Sequence, residues 1–392
     1  MPVEIPEIAT GIRMEPLIKW TGGKSGEFKY IEEMIPKFDT YAEPFFGGGG
    51  VFFSIMPKHA IVNDLSTDLM NFYRFVKGEK DHEEFKLELY KYVDRWELLG
   101  EITNKISDDF LFLYNAYQSG EVNELDVKTK ISNILEANNG KLHMLSNDNF
   151  CLNSKDFLNK INDNLFSKMK RIKKIENIGN KTFDNNEMKE HIETALRSGF
   201  YMYFREILNK STAGLLKLSE AKKMANYYFI REFCYGSMFR FSSKGDFNIP
   251  YGGIAYNRKN FRKKVDAIFS KNVYLIFKNT TIENLDFGEF FKKYQFDKDD
   301  FIFFDPPYDT DFSEYDLNPF TKEDQKRLAK IILNLKSKFI LIIKNTPFIY
   351  ELYSNHEHIK IKKFDKSYLY NVRGRNVRET EHLIIFNFLY HE

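Results

Sequence analysis

The sequence predicts an α/β protein whose mainly parallel sheet is interrupted by a helical insertion. At both ends of the 392-residue chain, short apolar runs alternate with segments of helical periodicity, which is the pattern of βαβ units. Between about Lys77 and Ser198 the composition shifts to Lys, Asn, Glu and Asp, with apolar residues such as Phe85, Leu89 and Val93 at helical spacing. The middle of the chain is therefore predicted to be an insertion within a sheet-containing domain.

Each strand is predicted from a short run rich in apolar and β-branched residues. These runs are Thr40–Phe45, Ala60–Val62, Val273–Phe277, Phe301–Phe304, Phe339–Ile343 and Leu383–Phe388. The segment Lys322–Leu335 is predicted to be a helix. Thr321 before it suits the N-cap position, because its hydroxyl can accept a hydrogen bond from a backbone N–H of the first turn.

A hairpin is predicted over Met238–Gly253. Its second arm alternates Phe247, Ile249 and Tyr251 after a glycine-containing turn, which is typical of a strand with one buried face. Arg240 lies on the first arm between two phenylalanines. An arginine that projects from such an arm can grip guanine O6 and N7 in the major groove, although it can also pair with a phosphate or a nearby aspartate.

Bulk composition excludes several classes of protein. A hydrophobic share of 43% with 29% charged residues is typical of a globular chain, and a net charge of +2 does not by itself indicate a polyanionic partner. Two cysteines, Cys151 and Cys234, are too few for a disulfide framework or a four-cysteine zinc site, so we expect no metal and a reducing, cytoplasmic location. The N-terminus lacks an apolar signal region, and the apolar runs are too short to span a membrane.

The stretch Asp305-Pro306-Pro307-Tyr308 follows the apolar run Phe301–Phe304 and should leave the carboxyl end of a buried strand, where open α/β sheets bind their ligands. These residue types suit the task of holding a planar exocyclic amine. Asp305 and the Pro306 carbonyl can each accept one amine hydrogen, and Tyr308 offers a face on which a base can stack. The two prolines stiffen the turn. The alternative is an ordinary strand-ending turn with a buried tyrosine.

Two further elements suit a nucleoside-containing ligand. The glycines Gly47–Gly50 follow the first predicted strand, where their backbone N–H groups can approach a ligand closely. Asp64 ends the second strand, where an acid usually binds a ribose diol. Upstream, Lys19–Lys24 places lysines and Trp20 around a Gly-Gly turn that suits a carboxylate or a phosphate. The alternatives are a flexible turn, a surface cap and a loop with exposed lysines.

With these motifs in this order, the chain resembles the Dam-like DNA adenine-N6 methyltransferases (D12 class, alpha group), which use S-adenosylmethionine. The motifs are Lys-Trp-x-Gly-Gly-Lys at 19–24, Glu-Pro-Phe-x-Gly-x-Gly at 43–49, Asn-Asp-x-x-x-Asp at 63–68, Lys-Gly-Asp-Phe-Asn-Ile-Pro-Tyr-Gly at 244–252, Asp-Pro-Pro-Tyr at 305–308 and Asn-Val-Arg-Glu-Thr-Glu-His-Leu at 376–383. The resemblance spans Ile18 to Phe388 and lapses over about Glu84 to Ser198.

The resemblance implies a Rossmann-like, seven-stranded methyltransferase sheet with an inserted helical and hairpin target-recognition domain. It implies a discontinuous catalytic domain over residues 1–80 and 265–392. Residues 81–264 would form the helical insertion and the target-recognition domain, whose DNA-reading hairpin lies near 238–253.

The resemblance also implies site residues, position by position. The positions matched to the methyl-donor site are Trp20, Lys24, Phe45, Gly47, Gly49, Asp64 and Asp305. The positions matched to the catalytic loop are Asp305, Pro306, Pro307 and Tyr308. The positions matched to DNA contacts are Lys19, Tyr235, Arg240, Lys244, Asn248 and Pro250. Thr21 and the pair Gly236-Ser237 depart from the family's usual residues, and the second departure, beside the base-reading positions, leaves the target sequence open.

The implied activity is site-specific methyl transfer from S-adenosylmethionine to N6 of an adenine flipped out of double-stranded DNA, without a metal. The expected partner is double-stranded DNA. If the chain belongs to a restriction-modification system, a cognate restriction endonuclease is a second expected partner. A bacterial or phage-encoded monomer or weak dimer without a membrane partner is expected. The alternatives are an RNA or protein methyltransferase, a cytosine-N4 DNA methyltransferase and a DNA-binding module without activity. The basic run Lys168–Lys174 suits phosphate contacts or, as we favour, a solvated helix face.

Overall fold

The structure, a computed structural model, describes residues 13–147, 150–179, 182–238, 240–242, 245–308, 320–367 and 379–389. The chain forms two compact units. One unit combines Met1–Lys80 with Phe269–Glu392 and is called the sheet unit here. The other, Asp81–Ile268, is mainly helical and is called the helical unit.

Seven strands in the described part of the sheet unit form one sheet. They are β1 (Tyr41–Glu43), β2 (Ala60–Asn63), β3 (Thr280–Glu283), β4 (Phe301–Phe304), β5 (Lys338–Lys344), β6 (Lys360–Ser367) and β7 (Glu379–Phe386). The sheet order is β3-β2-β1-β4-β5-β7-β6. The first five strands in this order run parallel, and β7 is antiparallel to both of its neighbours. The predicted α/β class and seven-stranded sheet are confirmed.

Helices connect these strands and build the helical unit. The described helices are α1 (Gly50–Ile55), α2 (Thr67–Lys77), α3 (His82–Ser119), α4 (Glu124–Ala137), α5 (Asn139–Ser146), α6 (Ser154–Gly179), α7 (Asn185–Thr212), α8 (Glu220–Phe233), α9 (Ile254–Asn257), α10 (Phe261–Ile268), α11 (Lys271–Lys278), α12 (Phe287–Lys293), α13 (Lys322–Ile332) and α14 (Pro347–Ser354). The predicted N-cap of α13 is confirmed, because the Thr321 side chain accepts from the backbone N–H of Asp324.

The central strand β4 shows why these sequences form a buried sheet. Its four residues, Phe301–Phe304, are fully buried, and the predicted bounds match the observed ones. Ile302 and Phe304 belong to the same apolar cluster as Phe290 of α12 and Leu328 of α13. A parallel strand covered by helices is apolar along its whole length, so it appears in the sequence as an unbroken apolar run.

One predicted strand is wrong. The run Val273–Phe277 lies in helix α11, and the strand β3 begins only at Thr280. Ser270 caps this helix, and Val273, Ile276 and Phe277 are its buried residues. Those buried positions have the i, i+3, i+4 spacing of a helix face, and this tertiary burial overrides the β propensity of the individual residues.

The strand β6 was not predicted from the sequence. It lies at the edge of the sheet and pairs only with β7 among the described strands. Its lysines, including Lys360, Lys362 and Lys363, replace the apolar run that identifies the inner strands. Charged side chains on an edge strand oppose pairing with other chains, so such a strand carries little apolar signal.

The helical unit has an aromatic core. Its longest helix, α3, contains 38 residues and begins after Asp81, whose side chain accepts from Glu84 N. The predicted apolar stripe of Phe85, Leu89 and Val93 lies on this helix and is buried. Rings from α3, α7 and α8 pack together at the centre of this unit; they include Tyr92, Trp96, Phe200, Phe204, Phe229 and Phe233.

The predicted hairpin is present as two isolated antiparallel bridges rather than as two strands. The bridges join Cys234 to Tyr251 and Phe241 to Phe247. Phe247, Ile249 and Tyr251 are buried, as their alternation predicted, and the two residues between them are exposed. The second arm of the predicted hairpin, 247–251, therefore has one buried and one exposed face.

Hydrogen bonds from side chains of α7, and not a continuous strand ladder, fix the backbone of this hairpin. Asn209 Nδ2 donates to Phe247 O at 3.1 Å, and Asn209 Oδ1 accepts from Phe247 N at 2.9 Å. Tyr201 Oη donates to Ile249 O at 3.0 Å, and Arg205 Nη1 donates to the same carbonyl at 3.1 Å. Because these donors and acceptors sit on one helix, the hairpin backbone is fixed relative to α7.

Three general properties follow from the described residues. Cys151 and Cys234 are buried and take part in no disulfide. Among the helices that the structure describes, none is long and apolar enough to cross a membrane. Within the described ranges, histidine, cysteine, aspartate and glutamate side chains form no group of three or more that could hold a metal ion.

Candidate active site

The loop Asp305–Tyr308 leaves the carboxyl end of β4, as predicted. Pro306 is buried, Pro307 is exposed, and Asp305 and Tyr308 are half-buried. The two prolines have no backbone N–H, so this loop cannot be held by main-chain donors at its centre. Within the described part of the chain, no donor bonds to the Pro306 carbonyl. The loop therefore presents a carboxylate and a backbone carbonyl at the edge of the sheet.

Lys24 connects the N-terminal motif to this loop. Its side chain is only 3% exposed, and Nζ donates to the Asp305 carboxylate and, at 3.0 Å, to Gly22 O. Nζ also lies 5.3 Å from the centre of the Tyr308 ring. Burial lowers the pKa of Lys24, but Asp305, Tyr308 and Glu27 together outweigh burial and hold this pKa above its ordinary value. Lys24 is therefore an ammonium that contacts both functional side chains of the loop.

The glycine loop lies after β1 at the same edge. Gly47 and Gly49 have φ values of 51° and 68°, a left-handed conformation that favours glycine. A Cβ added at Gly47 would lie 2.9 Å from Trp20 Cδ1, so the indole packs directly on the loop. Gly47 N donates to Asp64 Oδ2 at 2.9 Å, and Ser66 N donates to Asp64 Oδ1 at 2.9 Å. Trp20, the loop and Asp64 thus form one contiguous surface.

A third acid lies beneath these two motifs. Glu43, the last residue of β1, is buried and accepts a hydrogen bond from Tyr41 Oη at 2.7 Å. Burial raises the pKa of Glu43 well above its usual range, and the nearby Asp305 and Asp64 carboxylates add to this shift. Burial therefore favours the protonated, uncharged form of Glu43 over the carboxylate between the two other acids.

Phe45 is placed differently from the other predicted donor-site residues. It is half-buried, with its ring centre 5.6 Å from Phe287 and 5.8 Å from Phe320. Asn63, the first residue of the Asn-Asp-x-x-x-Asp motif, holds this corner together. Its side chain donates to Pro44 O at 3.0 Å and accepts from Leu285 N at 2.8 Å, which ties the ends of β1, β2 and β3.

Two further residues contact the catalytic loop and were given no role by sequence analysis. Gln325 of α13 donates to Pro307 O at 2.8 Å. His382 of β7 lies within hydrogen-bond distance of the Tyr308 hydroxyl, at 3.3 Å. His382 belongs to the quoted tail motif, which was a usable signal. Gln325 stands in an ordinary amphipathic helix, where no local signal marked it.

The predicted DNA contacts lie mostly on the hairpin of the helical unit. Tyr235 is 49% exposed, and Arg240, Asn248 and Pro250 are exposed. Tyr235 N donates to Pro250 O at 2.9 Å, and Asn248 N donates to Arg240 O at 3.4 Å. In the described part of the chain, no carboxylate pairs with Arg240, so the alternative pairing with Asp246 is absent there.

Two further positions, Lys19 and Lys244, were matched to DNA contacts. Lys19 is half-buried and belongs to the sheet unit. Lys244 lies outside the described residues. The hairpin and the adjoining Tyr235 thus bring together four of the six predicted positions.

The fold and the site define a class. A sheet of this order, with a glycine loop after β1, an acid after β2 and Asp-Pro-Pro-Tyr after β4, is that of a methyltransferase acting on an exocyclic amine. The model of the D12 class N6 adenine-specific DNA methyltransferases matches residues 20–137 and 153–367, and the chain belongs to this family. It is an adenine-specific DNA methyltransferase, which disfavours the RNA, protein, cytosine-N4 and non-catalytic alternatives.

Individual relatives agree with the family. The chain is 24% identical over 378 residues to type II methyltransferase M.CviBI of Paramecium bursaria Chlorella virus NC1A, covering 96% of this chain and 100% of that protein. It is 25% identical over 394 residues to type II methyltransferase M.MjaIII of Methanocaldococcus jannaschii, covering 96% of this chain and 100% of that protein. It is 30% identical over 176 residues to the retron Ec67 DNA adenine methylase of Escherichia coli, covering 44% of this chain and 58% of that protein.

Proposed function

We propose that the sheet unit takes the methyl group from S-adenosylmethionine and places it on N6 of an adenine flipped out of double-stranded DNA. One observation carries this proposal. The glycine loop packed by Trp20, the Asp64 carboxylate and the Asp305–Tyr308 loop converge at the carboxyl edge of β1, β2 and β4. That edge is where open α/β sheets bind their ligands.

The residues present fit the methyl donor. Gly47 and Gly49 leave no room for a side chain, since added Cβ atoms would lie 2.9 Å from Trp20 and 2.8 Å from Phe46. Asp64 accepts two backbone N–H bonds, and a carboxylate has about four acceptor sites, so these two bonds alone do not exhaust it. Trp20, the glycine loop and Asp64 would hold the donor. When bound, the donor supplies an already activated sulfonium methyl group.

The loop Asp305–Tyr308 would hold the target amine. The ion pair with Lys24 presents Asp305 as a carboxylate, which only accepts hydrogen bonds, and the Pro306 carbonyl likewise accepts. Two acceptors on an amine favour a tetrahedral nitrogen whose lone pair can be aligned for attack. No covalent enzyme intermediate is needed.

The base must leave the duplex to reach this loop. Extruding a base costs a few kcal/mol. Stacking on an aromatic ring stabilises the extruded base by roughly 1–3 kcal/mol, so Tyr308 can offset part of the cost. The half-buried position of Tyr308, between the Lys24 ammonium and His382, suits a ring with a fixed plane and one accessible face.

Recognition of the target sequence is assigned to the helical unit and catalysis to the sheet unit. The hairpin presents exposed Arg240 and Asn248 on a backbone fixed by α7. Arginine gripping guanine is the commonest specific contact in the major groove. Because two full-length relatives are named type II methyltransferases, we also assign the chain to a modification system in which a restriction endonuclease can be the partner.

The test is methylation followed by sequencing. Purified chain is incubated with isotopically labelled S-adenosylmethionine and genomic DNA that lacks adenine methylation, and the modified bases are mapped. We expect N6-methyladenine in one short sequence context. Label on cytosine, label on RNA alone, or transfer without any sequence context would contradict the proposal. A catalytically inert chain that still binds DNA would contradict it as well.

A further inference from the structure

The catalytic loop is tethered from behind by two buried side chains. Pro306 and Pro307 provide no N–H, so the centre of the loop cannot be fixed by its own backbone donors. A loop that must align an amine with a methyl group nonetheless needs a fixed geometry, because a misplacement of about 1 Å can cost about 100-fold in rate. The tethers therefore come from other elements of the sheet unit.

Gln325 provides the first tether. Its side chain is fully buried on α13, and Nε2 donates to Pro307 O at 2.8 Å. Helix α13 is itself anchored, because Thr321 and Asp324 form a reciprocal capping box at its start. Since Gln325 engages the Pro307 carbonyl, that carbonyl is directed toward α13. The neighbouring Pro306 carbonyl receives no donor from the described residues, so those residues leave it available as an acceptor.

His382 provides the second tether. It is fully buried on β7, and its Nδ1 lies 3.1 Å from Thr380 O. A backbone carbonyl can only accept, so Nδ1 carries a hydrogen, and in the neutral form of the ring Nε2 is an acceptor. The Tyr308 hydroxyl, 3.3 Å from Nε2, is then the donor. The imidazole also packs edge-on against the Tyr308 ring, with centres 5.5 Å apart, and its centre lies 5.6 Å from that of the tilted Phe364 ring.

We propose that Gln325 and His382 are positioning residues of methyl transfer. Gln325 sets the direction of the two proline carbonyls, and His382 sets the plane of the Tyr308 ring. Both act through the loop. The inference rests on the proposed function of that loop, and it adds two residues from distant parts of the chain.

The first experiment replaces Gln325 with Met, which keeps its length but removes the donor, and with Glu, which donates only when protonated. Single-turnover methylation and calorimetric donor binding are measured, together with the unfolding temperature. We expect the rate to fall about 10- to 100-fold in Gln325→Met while the donor dissociation constant changes less than 3-fold. In Gln325→Glu we expect the rate, relative to wild type, to recover as pH falls. Gln295→Met is the matched control, because this exposed glutamine also donates to a backbone carbonyl, that of Phe291 in α12.

The second experiment is a double-mutant cycle on Tyr308→Phe and His382→Ala, with His356→Ala as the exposed control. The readouts are the single-turnover rate and the fluorescence of 2-aminopurine at the target position, which reports how the flipped base stacks. If His382 acts through the tyrosine hydroxyl, the double mutant is no slower than the slower single mutant. Independent, multiplicative losses would overturn the role of His382.

Failure of this inference is separable from failure of the proposed function. If wild type methylates adenine but both Gln325 variants keep the wild-type rate, only the positioning role of Gln325 is wrong. An equal loss of rate and of donor affinity in Gln325→Met would also overturn it, because that pattern indicates general structural damage. If wild type transfers no methyl group to adenine, the proposed function itself fails.

Discussion

At the residue scale, the ion pair between Lys24 and Asp305 is expected to contribute both to the stability of the fold and to methyl transfer. We expect Asp305→Ala to abolish methyl transfer and to destabilise the fold by about 3 kcal/mol, the low end for breaking a buried pair, because Asp305 retains some solvent contact. Adding Lys24→Met should restore part of the stability, since the unpaired ammonium is removed, but none of the rate. Denaturant unfolding and single-turnover rates measure both. A double mutant as unstable as Asp305→Ala would contradict the pairing.

The neighbouring Glu43 carboxyl makes a pH-dependent prediction. Its folded pKa is raised by burial above the unfolded value of about 4.5, so the folded state retains a proton that the unfolded state loses. That contribution is fully present below about pH 4.5 and is lost as pH rises toward the folded pKa. Glu43→Gln, which cannot ionise, should therefore gain stability relative to wild type between pH 5 and pH 8. Parallel stability curves over that range would show that Glu43 ionises normally.

Asp64 makes a prediction about the donor. Asp64→Ala should weaken S-adenosylmethionine binding by about 1–3 kcal/mol, which is the scale for removing one partner of a buried hydrogen bond. Titration calorimetry of the folded variant measures this change. Asp68→Asn is the control, because Asp68 is an exposed acid in the first turn of α2. Equal donor affinity in Asp64→Ala and the control would remove Asp64 from the donor site.

At the scale of single elements, the hairpin is expected to carry sequence specificity. Arg240→Ala should relax selectivity at one base position by about 1–3 kcal/mol and leave other positions unchanged, since a bidentate contact to guanine reads one base pair. Methylation rates on duplexes with single-base substitutions measure this. Arg258→Ala is the control, because Arg258 is exposed in the same unit and pairs with Glu190. A uniform loss across all duplexes would indicate a phosphate contact.

In the basic run Lys168–Lys174 of α6, some of the cations make contacts within the helical unit. Met169 and Ile172 within it are buried, Lys170 pairs with Glu124, and Lys173 lies 4.0 Å from the centre of the Tyr117 ring. Part of the run is therefore engaged within the helical unit, which agrees with the favoured interpretation of a helix face. Contact between its remaining cations and DNA phosphates stays a prediction.

At the scale of the whole molecule, features that depend on neighbouring residues in the sequence could be predicted. Contacts between residues far apart in the sequence could not. Asp305 and Tyr308 stand within four residues of a buried strand, so their place at its end was visible locally. The contacts of the same loop with Lys24, Gln325 and His382 join residues far apart in the chain, and no local pattern specifies them. Long-range packing alone brings these partners together.

The wrong and missing strands have the same cause. The run at 273–277 contains residues with high β propensity. Its buried residues, however, have the spacing of a helix face, and their burial stabilises a helix there instead of a strand. The edge strand β6 is rich in lysine because its exposure, not its propensity, governs its composition. Strands buried on both faces were predicted well, since their environment demands apolar residues throughout.

The central claim is that the Asp305–Tyr308 loop directs a methyl group to adenine N6. The most direct measurement is nucleoside mass spectrometry of one cognate duplex after a single turnover with wild type and with Asp305→Ala. We predict N6-methyladenine as the sole methylated nucleoside with wild type, and a yield at least about 100-fold lower with the variant, the scale for losing one preorganised electrostatic partner. N4-methylcytosine from wild type, or a near-normal yield of N6-methyladenine from folded Asp305→Ala that still binds DNA, would contradict the claim.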